Sequence, residues 1–399
     1  MAEHRKLAIL GSTGSIGRQT LSVVEAMPER FAVMALAAGS NLNELAEQIE
    51  RHKPEVVSVG DAGKVDELAT RLKQRGISPL PAIHHGRQGM LAVGTHAAAD
   101  IVVSAAVGVV GLEATYEAVK LGKIIALSNK EVLVAAGELV MTAAKKVGRE
   151  LLPVDSEHNA VHQCLRGGEH SEVLRLVLTA SGGPFRKAPL ASLSSVTPEQ
   201  ALAHPNWKMG SRITIDSATM MNKGFEVIEA RWLFGMRPDQ IDVVIHPQST
   251  IHSMVEFVDG SVLAQLGPTD MRMPIQYALT YPERVASNQV ALDWSKLRRL
   301  DFARVSTRRF PCLRLAKEAM KKGGAMPCAL NAADEVAVAA FLERRLPFLG
   351  IPEVIERVLA RMPRVRFEKM DDVLTADLEA RRMAKEEVER VAVAAAAAS

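Results

Sequence analysis

The sequence of 399 residues is poor in cysteine, with only Cys164, Cys312 and Cys328 and no CxxC pair. An odd number of scattered cysteines argues against a disulfide framework and against a thiolate zinc site. Long apolar runs are also missing, since no stretch approaches the roughly 20 apolar residues of a membrane span. MAEHRK runs directly into LAIL, which is too short for a signal-peptide core, so a cytoplasmic location is expected.

An excess of one charge is missing as well. Lys and Arg number 49 against 46 Asp and Glu, and no basic stripe is interleaved with aromatic residues. Nucleic-acid binding therefore has little support. Hydrophobic residues make up 48% of the chain, which is enough for the cores of two or three domains. We expect a small-molecule partner rather than nucleic acid or a membrane.

Residues 1–150 alternate short apolar runs with amphipathic stretches, a pattern that predicts a parallel sheet covered by helices. The predicted strands are LAIL, FAVMALAAG, EVVSVG, DIVVSAA and KIIALSN. The turn Gly11-Ser-Thr-Gly14-Ser-Ile-Gly17 follows the first run, where backbone amides and a helix N-terminus can approach a pyrophosphate. Such a turn can be purely structural. Its position after the first strand favours a Rossmann-like dinucleotide-binding domain.

The end of the second predicted strand reads Ala37-Ala38-Gly39-Ser40-Asn41. NAD sites usually place an Asp or Glu here to bind the ribose 2′-hydroxyl. No acid is present to repel a 2′-phosphate, and Ser40 and Asn41 can donate hydrogen bonds to one. The sequence therefore predicts NADPH rather than NADH.

The pattern changes after residue 150. Residues 151–290 mix predicted strands, ELLPVDSE among them, with helices, which indicates an α+β catalytic and dimerisation domain. Residues 291–311 are Arg-rich and predict a linker. Residues 312–399 carry four helical patterns separated by Pro- or Gly-containing turns. The predicted fold is thus α/β, with a Rossmann-like parallel-sheet domain, a central α+β domain and a C-terminal helical bundle.

Three carboxylates stand out: Asp155 and Glu157 in VDSEHNAV, and Glu226 in SATMMNKGFEVIE. Asp155 and Glu157 are predicted at i and i+2 of an extended segment, where both side chains point the same way. With Glu226 from a helix they predict an all-oxygen site for Mg²⁺ or Mn²⁺, with Co²⁺ as a further option. A single acid is more often a solvated charge, and Asp155 could instead cap a helix. Their joint occurrence among polar residues favours the metal site.

Polar residues near these acids predict a phosphate-binding pocket. Ser217, Asn222 and Lys223 supply a hydroxyl, an amide and a cation within one short stretch. Ser181 lies in TASGGPF, whose glycines can expose consecutive amides as an anion site. Trp207, in HPNWKMG, is predicted on a lid over the substrate, with a structural role in the core as the alternative.

Several longer motifs occur in order: GSTGSIG, ALSNKE, VDSEHNA, TASGGPF, HPNWKMG, TIDSATMMNKGFEVIEA, HPQSTIHS and NAADE. Over nearly its whole length the sequence resembles the 1-deoxy-D-xylulose 5-phosphate reductoisomerase family. The family makes 2-C-methyl-D-erythritol 4-phosphate for isoprenoid synthesis, by retro-aldol cleavage and aldol rejoining followed by reduction with NADPH. The resemblance also implies a homodimer, and we expect its contact in the strand-rich segment 241–267.

The resemblance implies a role for each matching residue. Asp155, Glu157 and Glu226 would bind the metal. Lys130 and Glu157 would be catalytic, with Lys130 near the reacting oxygens. Substrate would contact Lys130, Ser156, Glu157, Ser181, His204, Trp207, Ser217, Asn222, Lys223 and Glu226. The nicotinamide cofactor would contact Thr13, Gly14, Ser15, Ile16, Gly39, Ser40, Asn41, Asn129, Glu131 and Gly210. Some family members carry a basic residue where this chain has Ser40.

Two other functions remain open from the residues. A metal-independent semialdehyde or acyl-phosphate dehydrogenase would need a nucleophilic cysteine, for which Cys164 is the candidate. A non-enzymatic NADP-sensing protein would not need the three acids. His158 and His162, at i and i+4, are expected on a helix surface or in supporting positions rather than as zinc ligands.

Overall fold

The computed structural model describes residues 4–207, 209–287 and 291–398, with side chains up to Val393 at the C-terminal end. Contacts divide the chain into two compact units. The first unit comprises Met1–Val132, Val140–Asn159 and Asp270–Val290. The second comprises Leu133–Leu139, Ala160–Thr269 and Ala291–Ser399.

The first unit contains a parallel sheet of seven strands in the order β4-β3-β2-β1-β5-β6-β7. Its strands are β1 (Arg5–Leu10), β2 (Phe31–Ala37), β3 (Val56–Val59), β4 (Ala82–His85), β5 (Ile101–Ser104), β6 (Ile124–Leu127) and β7 (Leu151–Pro153). The alternating helices are α1 (Ser15–Glu25), α2 (Leu42–His52), α3 (Gly63–Gln74), α4 (Gly86–Gly94), α5 (Leu112–Lys120) and α6 (Glu131–Lys146). The predicted Rossmann-like sheet is confirmed.

The strands of this sheet end together at one edge. Leu10 at the end of β1 pairs with Ala37 of β2 on one side and with Ser104 of β5 on the other. Ser104 pairs with Leu127 of β6, which in turn pairs with Pro153 of β7. The order reverses between β1 and β5, which is where open α/β sheets bind their ligands. Residues that follow these strands are therefore brought to one crevice.

Two strands of this sheet differ from the sequence prediction. β4 was not predicted, because its AIHH sequence lacks an apolar run and occupies an exposed edge. ELLPVDSE was predicted as a strand of the central domain. A strand does form there, but its assignment to the central domain is wrong. β7 instead extends the first sheet beside β6, and its three residues are buried there.

Residues 270–290 also join the first unit, although the sequence pattern placed them with the central region. Their helix α11 (Arg272–Thr280) packs against α1, β6 and β7. Ile275, Ala278 and Leu279 enter the core under the sheet, and the Arg5 guanidinium donates to the carbonyl of Leu279 at 3.0 Å. Local periodicity does not reveal which core an amphipathic helix will join, so the predicted boundary at 290 stays a prediction.

The second unit contains a mixed sheet of five strands in the order β11-β10-β8-β9-β12. Its strands are β8 (Val173–Ala180), β9 (Ile241–Ile245), β10 (Ile251–Phe257), β11 (Val262–Leu266) and β12 (Ala303–Arg304). β12 lies within the predicted linker 291–311 and pairs antiparallel with β9. That segment is therefore tied to the sheet over part of its length.

Helices complete the second unit. α7 (Ser156–Leu165) leads into it, and α8 (Pro198–Leu202), α9 (Ser211–Thr219) and α10 (Met221–Phe234) follow β8. The predicted C-terminal bundle consists of α12 (Pro311–Lys322), α13 (Met326–Leu342), α14 (Gly350–Arg361) and α15 (Met370–Ala398), and α13 contacts the other three. Among the described residues, the helices are all too short or too polar to cross a membrane.

The glycine-rich turn gives a stability prediction. A Cβ at Gly17 would lie 2.3 Å from the carbonyl oxygen of Gly11, a backbone atom that cannot rotate away. We expect Gly17→Ala to lower the free energy of unfolding by about 1–3 kcal/mol. Urea denaturation followed by circular dichroism measures this. Gly39→Ala is the control, because no atom lies within 4 Å of its Cβ position, and an equal loss there would contradict the argument.

Candidate functional site

The predicted cofactor residues, apart from Gly210, follow the carboxyl ends of β1, β2 and β6 in the first unit. Thr13–Ile16 follow β1, Gly39–Asn41 follow β2, and Asn129 and Glu131 follow β6. Since these strand ends are in register, the sheet places the three segments along one edge. Gly210 belongs to the second unit, where it immediately precedes α9.

The turn after β1 has the construction of an anion site. Gly11 has φ +92°, and a Cβ there would lie 2.6 Å from the carbonyl oxygen of Ala105. α1 begins after Gly14 without a side-chain cap, and Gly14 and Ser15 are exposed. The N-terminal amides of α1 are therefore presented to solvent beside a backbone that leaves room for a ligand. A pyrophosphate fits this arrangement.

The turn after β2 is exposed at Gly39, Ser40 and Asn41. Asn41 is the N-cap of α2, and its Oδ1 accepts from the backbone N–H of Glu44 at 3.2 Å. That bond orients the side chain and leaves its amide group to act as a donor. The turn offers hydroxyl and amide donors to a 2′-phosphate, but it contributes no positive charge of its own.

Asn129 has a structural role that the sequence did not reveal. It is 4% exposed, and its Nδ2 donates to the carbonyl of Gly108 at 2.8 Å and to that of Ala106. These bonds hold the loop after β5. Within the described part of the chain its Oδ1 has no hydrogen-bond partner, so this buried acceptor can receive a donor from a bound cofactor.

Lys130 and Asp155 form a largely buried ion pair at the same edge. Lys130 follows β6, Asp155 follows β7, and Nζ lies 2.7 Å from Oδ2. The lysine is 6% exposed. Burial alone would raise the pKa of Asp155, but the charge of Lys130, with help from His158, outweighs it and holds that pKa well below its ordinary value. Asp155 is therefore a carboxylate at neutral pH.

The prediction that Asp155 and Glu157 share an extended segment is wrong. β7 ends at Pro153, and α7 begins at Ser156, so Glu157 lies in the first turn of a helix. The Asp155 carbonyl accepts from the N–H of Asn159 at 2.8 Å, and Ser156 Oγ donates to Glu157 Oε2 at 2.5 Å. The positive N-terminal end of a helix favours an acid in the first turn, so Glu157 stabilises this start of α7.

His158 is not on a helix surface, contrary to one of the two positions expected for it. Its side chain is fully buried, and Nδ1 lies 3.6 Å from Asp155 Oδ2. The His158 ring therefore lies beside the Asp155 carboxylate and favours its charged form. The sequence signal was its place three residues after Asp155, because the residue that precedes a helix and the third residue of its first turn lie close together.

In the second unit, Ser181 and His204 form a polarised pair. His204 Nδ1 lies 2.9 Å from the backbone N of Trp207 and 3.2 Å from that of Asn206, so it accepts from both N–H groups. Nε2 therefore carries the hydrogen and donates to Ser181 Oγ at 3.1 Å. Ser181 Oγ also accepts from the N–H of Gly183 at 3.2 Å. The hydroxyl hydrogen of Ser181 can therefore be donated to another acceptor, such as a phosphate oxygen.

The turn that carries Ser181 packs on the end of α9. Gly182 and Gly183 both have positive φ, and a Cβ at Gly183 would lie 2.8 Å from the carbonyl oxygen of Ser217. Only glycine allows this approach. The glycines therefore bring Ser181 and Ser217, both predicted as phosphate ligands, to the same part of the second unit.

Asn222, Lys223 and Glu226 form a cluster on one face of α10. Glu226 is fully buried, its Oε1 accepts from Asn222 Nδ2 at 2.6 Å, and its Oε2 pairs with Lys223 Nζ. The i, i+3 and i+4 spacing on a helix places these groups side by side. Both oxygens of the carboxylate are thus engaged by donors, one of them positively charged.

Trp207 lies in an irregular stretch between α8 and α9 and is half-buried. Its ring centroid is 6.4 Å from that of His252, and the neighbouring Asn206 donates to the Pro247 carbonyl at 2.6 Å. The hydrogen bond of Asn206 holds the backbone next to Trp207, and the indole of Trp207 remains partly exposed. This fits the predicted lid, which stays a prediction.

The sequence and the fold are both similar to those of known proteins. Family profiles match residues 7–137 (1-deoxy-D-xylulose 5-phosphate reductoisomerase), 151–234 (1-deoxy-D-xylulose 5-phosphate reductoisomerase C-terminal domain) and 266–383 (DXP reductoisomerase C-terminal domain). The enzyme of this name from Solibacter usitatus is 52% identical over 96% of this chain and 97% of its own length. The chain belongs to the 1-deoxy-D-xylulose 5-phosphate reductoisomerase family.

Solved structures of reductoisomerases are also similar. The enzyme from Zymomonas mobilis in complex with NADPH has a TM-score of 0.90 and 42% identity, covering 97% of this chain and 100% of that one. A DOX-P reductoisomerase in complex with NADPH, fosmidomycin and magnesium has a TM-score of 0.92 and 39% identity, covering 96% and 98%. The α/β fold of this reductoisomerase family member is thus shared over its length.

The cysteines do not suit a dehydrogenase that acts through a thiolate. Cys164, Cys312 and Cys328 are all buried. Burial raises the pKa of Cys312 and Cys328, and Cys164 lies near the C-terminal end of α7, where a helix disfavours negative charge. Membership of the reductoisomerase family and these buried thiols leave no support for the dehydrogenase alternative.

A buried charge network that the sequence did not reveal holds α9. Arg212 lies 3.7 Å from Asp216 on its own helix and 3.7 Å from Asp334 on α13, and its Nη2 donates to Asn331 Oδ1 at 2.9 Å. Burial, and then the negative charge of Asp216, raise the pKa of Asp334 well above its ordinary value, and Arg212 only partly offsets them. Asp334 therefore holds its proton in the folded protein to a higher pH than in the unfolded chain.

This protonated acid gives a pH prediction. Between the unfolded and folded pKa of Asp334 the native state binds more protons, so this group lowers stability as pH rises. Asp334→Asn imitates the protonated form and removes that dependence. As pH rises above the unfolded pKa of Asp334, we expect the variant to gain stability over the parent, by up to about 1.4 kcal/mol per pH unit. Urea denaturation at each pH measures it, with the exposed Glu389→Gln as control. Equal slopes in parent and variant would show that Asp334 is ionised in the folded state.

Proposed function

We propose that this chain rearranges 1-deoxy-D-xylulose 5-phosphate and reduces it with NADPH to 2-C-methyl-D-erythritol 4-phosphate, using a divalent metal ion. The step belongs to non-mevalonate isoprenoid precursor biosynthesis. Identity of 52% over nearly the whole chain with a reductoisomerase carries the proposal. The uncapped, glycine-rich start of α1 and the presence of NADPH in two similar structures support the cofactor.

NADPH is assigned to the edge of the first sheet and to Gly210. The amides at the start of α1, with Thr13, Gly14, Ser15 and Ile16, would bind the pyrophosphate. The 2′-phosphate would contact Gly39, Ser40 and Asn41. Asn129, Glu131 and Gly210 complete the proposed set, and the unpaired Asn129 Oδ1 supports its place there.

Mg²⁺ or Mn²⁺ is assigned to Asp155, Glu157 and Glu226. Three carboxylates are the donors that these hard cations prefer. In this structure the Asp155 carboxylate pairs with the ammonium group of Lys130. The Glu226 carboxylate pairs with that of Lys223, so both acids have a positive charge beside them. A bound ion would polarise the substrate ketone and acidify the neighbouring hydroxyl group.

The substrate phosphate is assigned to Ser181, Ser217, Asn222 and Lys223. The Ser181 hydroxyl has both acceptor positions used by His204 and Gly183, so it donates to the phosphate. Lys223 adds positive charge. Ser156 and His204 complete the proposed substrate contacts, and Trp207 would cover the bound sugar and exclude water.

Lys130 is the proposed catalytic cation, together with Glu157. Its ammonium group is almost fully buried, so its charge acts on nearby oxygens with little screening by water. It can stabilise the negative charge that develops on the substrate oxygens, or relay a proton to them. Asp155 Oδ2 lies 2.7 Å from Nζ of Lys130, and this ion pair fixes the position of the ammonium group.

A direct assay tests this function. We expect the protein to oxidise NADPH in the presence of 1-deoxy-D-xylulose 5-phosphate, to stop in EDTA, and to recover with added Mg²⁺ or Mn²⁺. Absorbance at the NADPH band gives the rate. We expect Glu226→Gln to lose at least about 100-fold in turnover, because it removes one charged ligand. Cys164→Ser is the control and should keep its rate.

Each outcome of the assay separates the candidates. Metal-independent oxidation that is lost in Cys164→Ser would favour the dehydrogenase. Binding of NADPH without turnover, unchanged in Glu226→Gln, would favour an NADP-sensing protein.

A cytoplasmic homodimer is the assembly that we propose. β11 is an edge strand of the second sheet and exposes Val262 (51%) and Leu263 (40%), and Val258 in the turn before it is 66% exposed. Exposed apolar edges are covered in most proteins. A second copy of the chain would cover this edge, which lies within the predicted contact segment 241–267.

A charge on this edge tests the assembly. We expect Val262→Lys to convert a dimer to a monomer at micromolar concentration, because a buried, unpaired lysine opposes association. Sedimentation velocity measures the mass. Leu378→Lys, at a 68% exposed position on α15, is the matched control and should remain dimeric. A parent protein that sediments as a monomer would refute the proposal.

A further inference from the structure

The turn after β2 leaves the negative charge of a 2′-phosphate without a cation. Its residues Gly39, Ser40 and Asn41 are uncharged, and Glu44 follows in the first turn of α2. An acid at this place repels a phosphate. A site that prefers NADPH therefore needs positive charge from another element.

Arg18 on α1 has the required position. Its backbone N–H donates to the carbonyl of Gly14 at 3.0 Å, so the residue stands in the first turn of α1, directly beyond the glycine-rich turn. Its Nη1 lies 3.9 Å from Oε2 of Glu44. The guanidinium thus reaches the first turn of α2, which Asn41 caps.

Arg18 is able to bind a ligand because its side chain is exposed and its contact with Glu44 is long. Its side chain is 53% exposed and that of Glu44 31% exposed. An ion pair of this length at the surface is weak. A phosphate dianion offers the guanidinium a stronger, bidentate partner than a distant carboxylate does.

We propose that Arg18 binds the 2′-phosphate of NADPH and thereby sets the preference for NADPH over NADH. Ser40 and Asn41 donate hydrogen bonds to the same phosphate, and Arg18 supplies its charge and offsets Glu44. An arginine near the end of the second strand is a physical solution for NADP sites. The inference rests on the proposed use of NADPH.

Equilibrium binding tests this role without turnover. NADPH and NADH are titrated into protein free of substrate and metal, and dissociation constants are measured by calorimetry. We expect Arg18→Gln to raise the Kd for NADPH about 10- to 100-fold and that for NADH less than about 2-fold. The same variant should lose affinity for 2′,5′-ADP but not for 5′-AMP. Arg18→Lys should be intermediate, since it keeps the charge but not the fork.

Two control variants separate this role from others. Glu44→Gln breaks the contact between α1 and α2 but keeps Arg18, so we expect NADPH binding to be retained or tightened. Lys64→Gln removes the cation at the start of α3, whose Nζ is held by Asp61, and should leave both constants unchanged. If Glu44→Gln weakens NADPH as Arg18→Gln does, the arginine is structural. If Lys64→Gln shows the selective loss, Lys64 holds the phosphate and the proposal is wrong.

Dinucleotide binding by the parent protein distinguishes a failure of the role proposed for Arg18 from a failure of the proposed function. A parent that prefers NADPH, with Arg18→Gln unchanged, refutes the role of Arg18 alone. A parent that binds neither dinucleotide refutes the proposed function itself.

Discussion

The common end of parallel strands is the constraint on which the first unit depends. Hydrogen bonding in register fixes Leu10, Ala37, Ser104, Leu127 and Pro153 as neighbours along one line. Any residue two or three positions beyond these ends must enter the same crevice, whatever its distance in sequence. The glycine turn and the pair of Lys130 with Asp155 therefore lie at the same edge of the sheet without special loops.

Buried carboxylates impose a second constraint, because a charge removed from water needs compensation nearby. The chain meets it in the same way twice, with Lys130 against Asp155 and Lys223 against Glu226. In the second case the lysine comes from the same helix, and Asn222 satisfies the other oxygen. Lys130 keeps Asp155 ionised, and Asn222 and Lys223 hold the Glu226 carboxylate in place.

The sequence predicted most of the first sheet because buried parallel strands read as apolar runs between helices. It also predicted the glycine turn after the first strand. It assigned β7 to the wrong sheet and took the segment of Asp155 and Glu157 as extended, because short strands and helix starts have similar local patterns. The burial of His158 and the second role of Asn129 could not be predicted, since both depend on contacts with segments distant in the chain. Strand pairing and hydrogen-bond partners are tertiary properties that periodicity does not encode.

The C-terminal bundle contributes none of the predicted ligands, yet it fixes where some of them lie. Arg212 and Asp216 of α9 are held against Asn331 and Asp334 of α13. α9 continues through Met220, whose left-handed backbone turns the chain directly into α10. A displacement of α9 would therefore move Ser217 at its end and the carboxylate cluster on α10 together. A polar network with directional partners opposes such a displacement. The bundle therefore supports the two helices that carry Ser217, Asn222, Lys223 and Glu226.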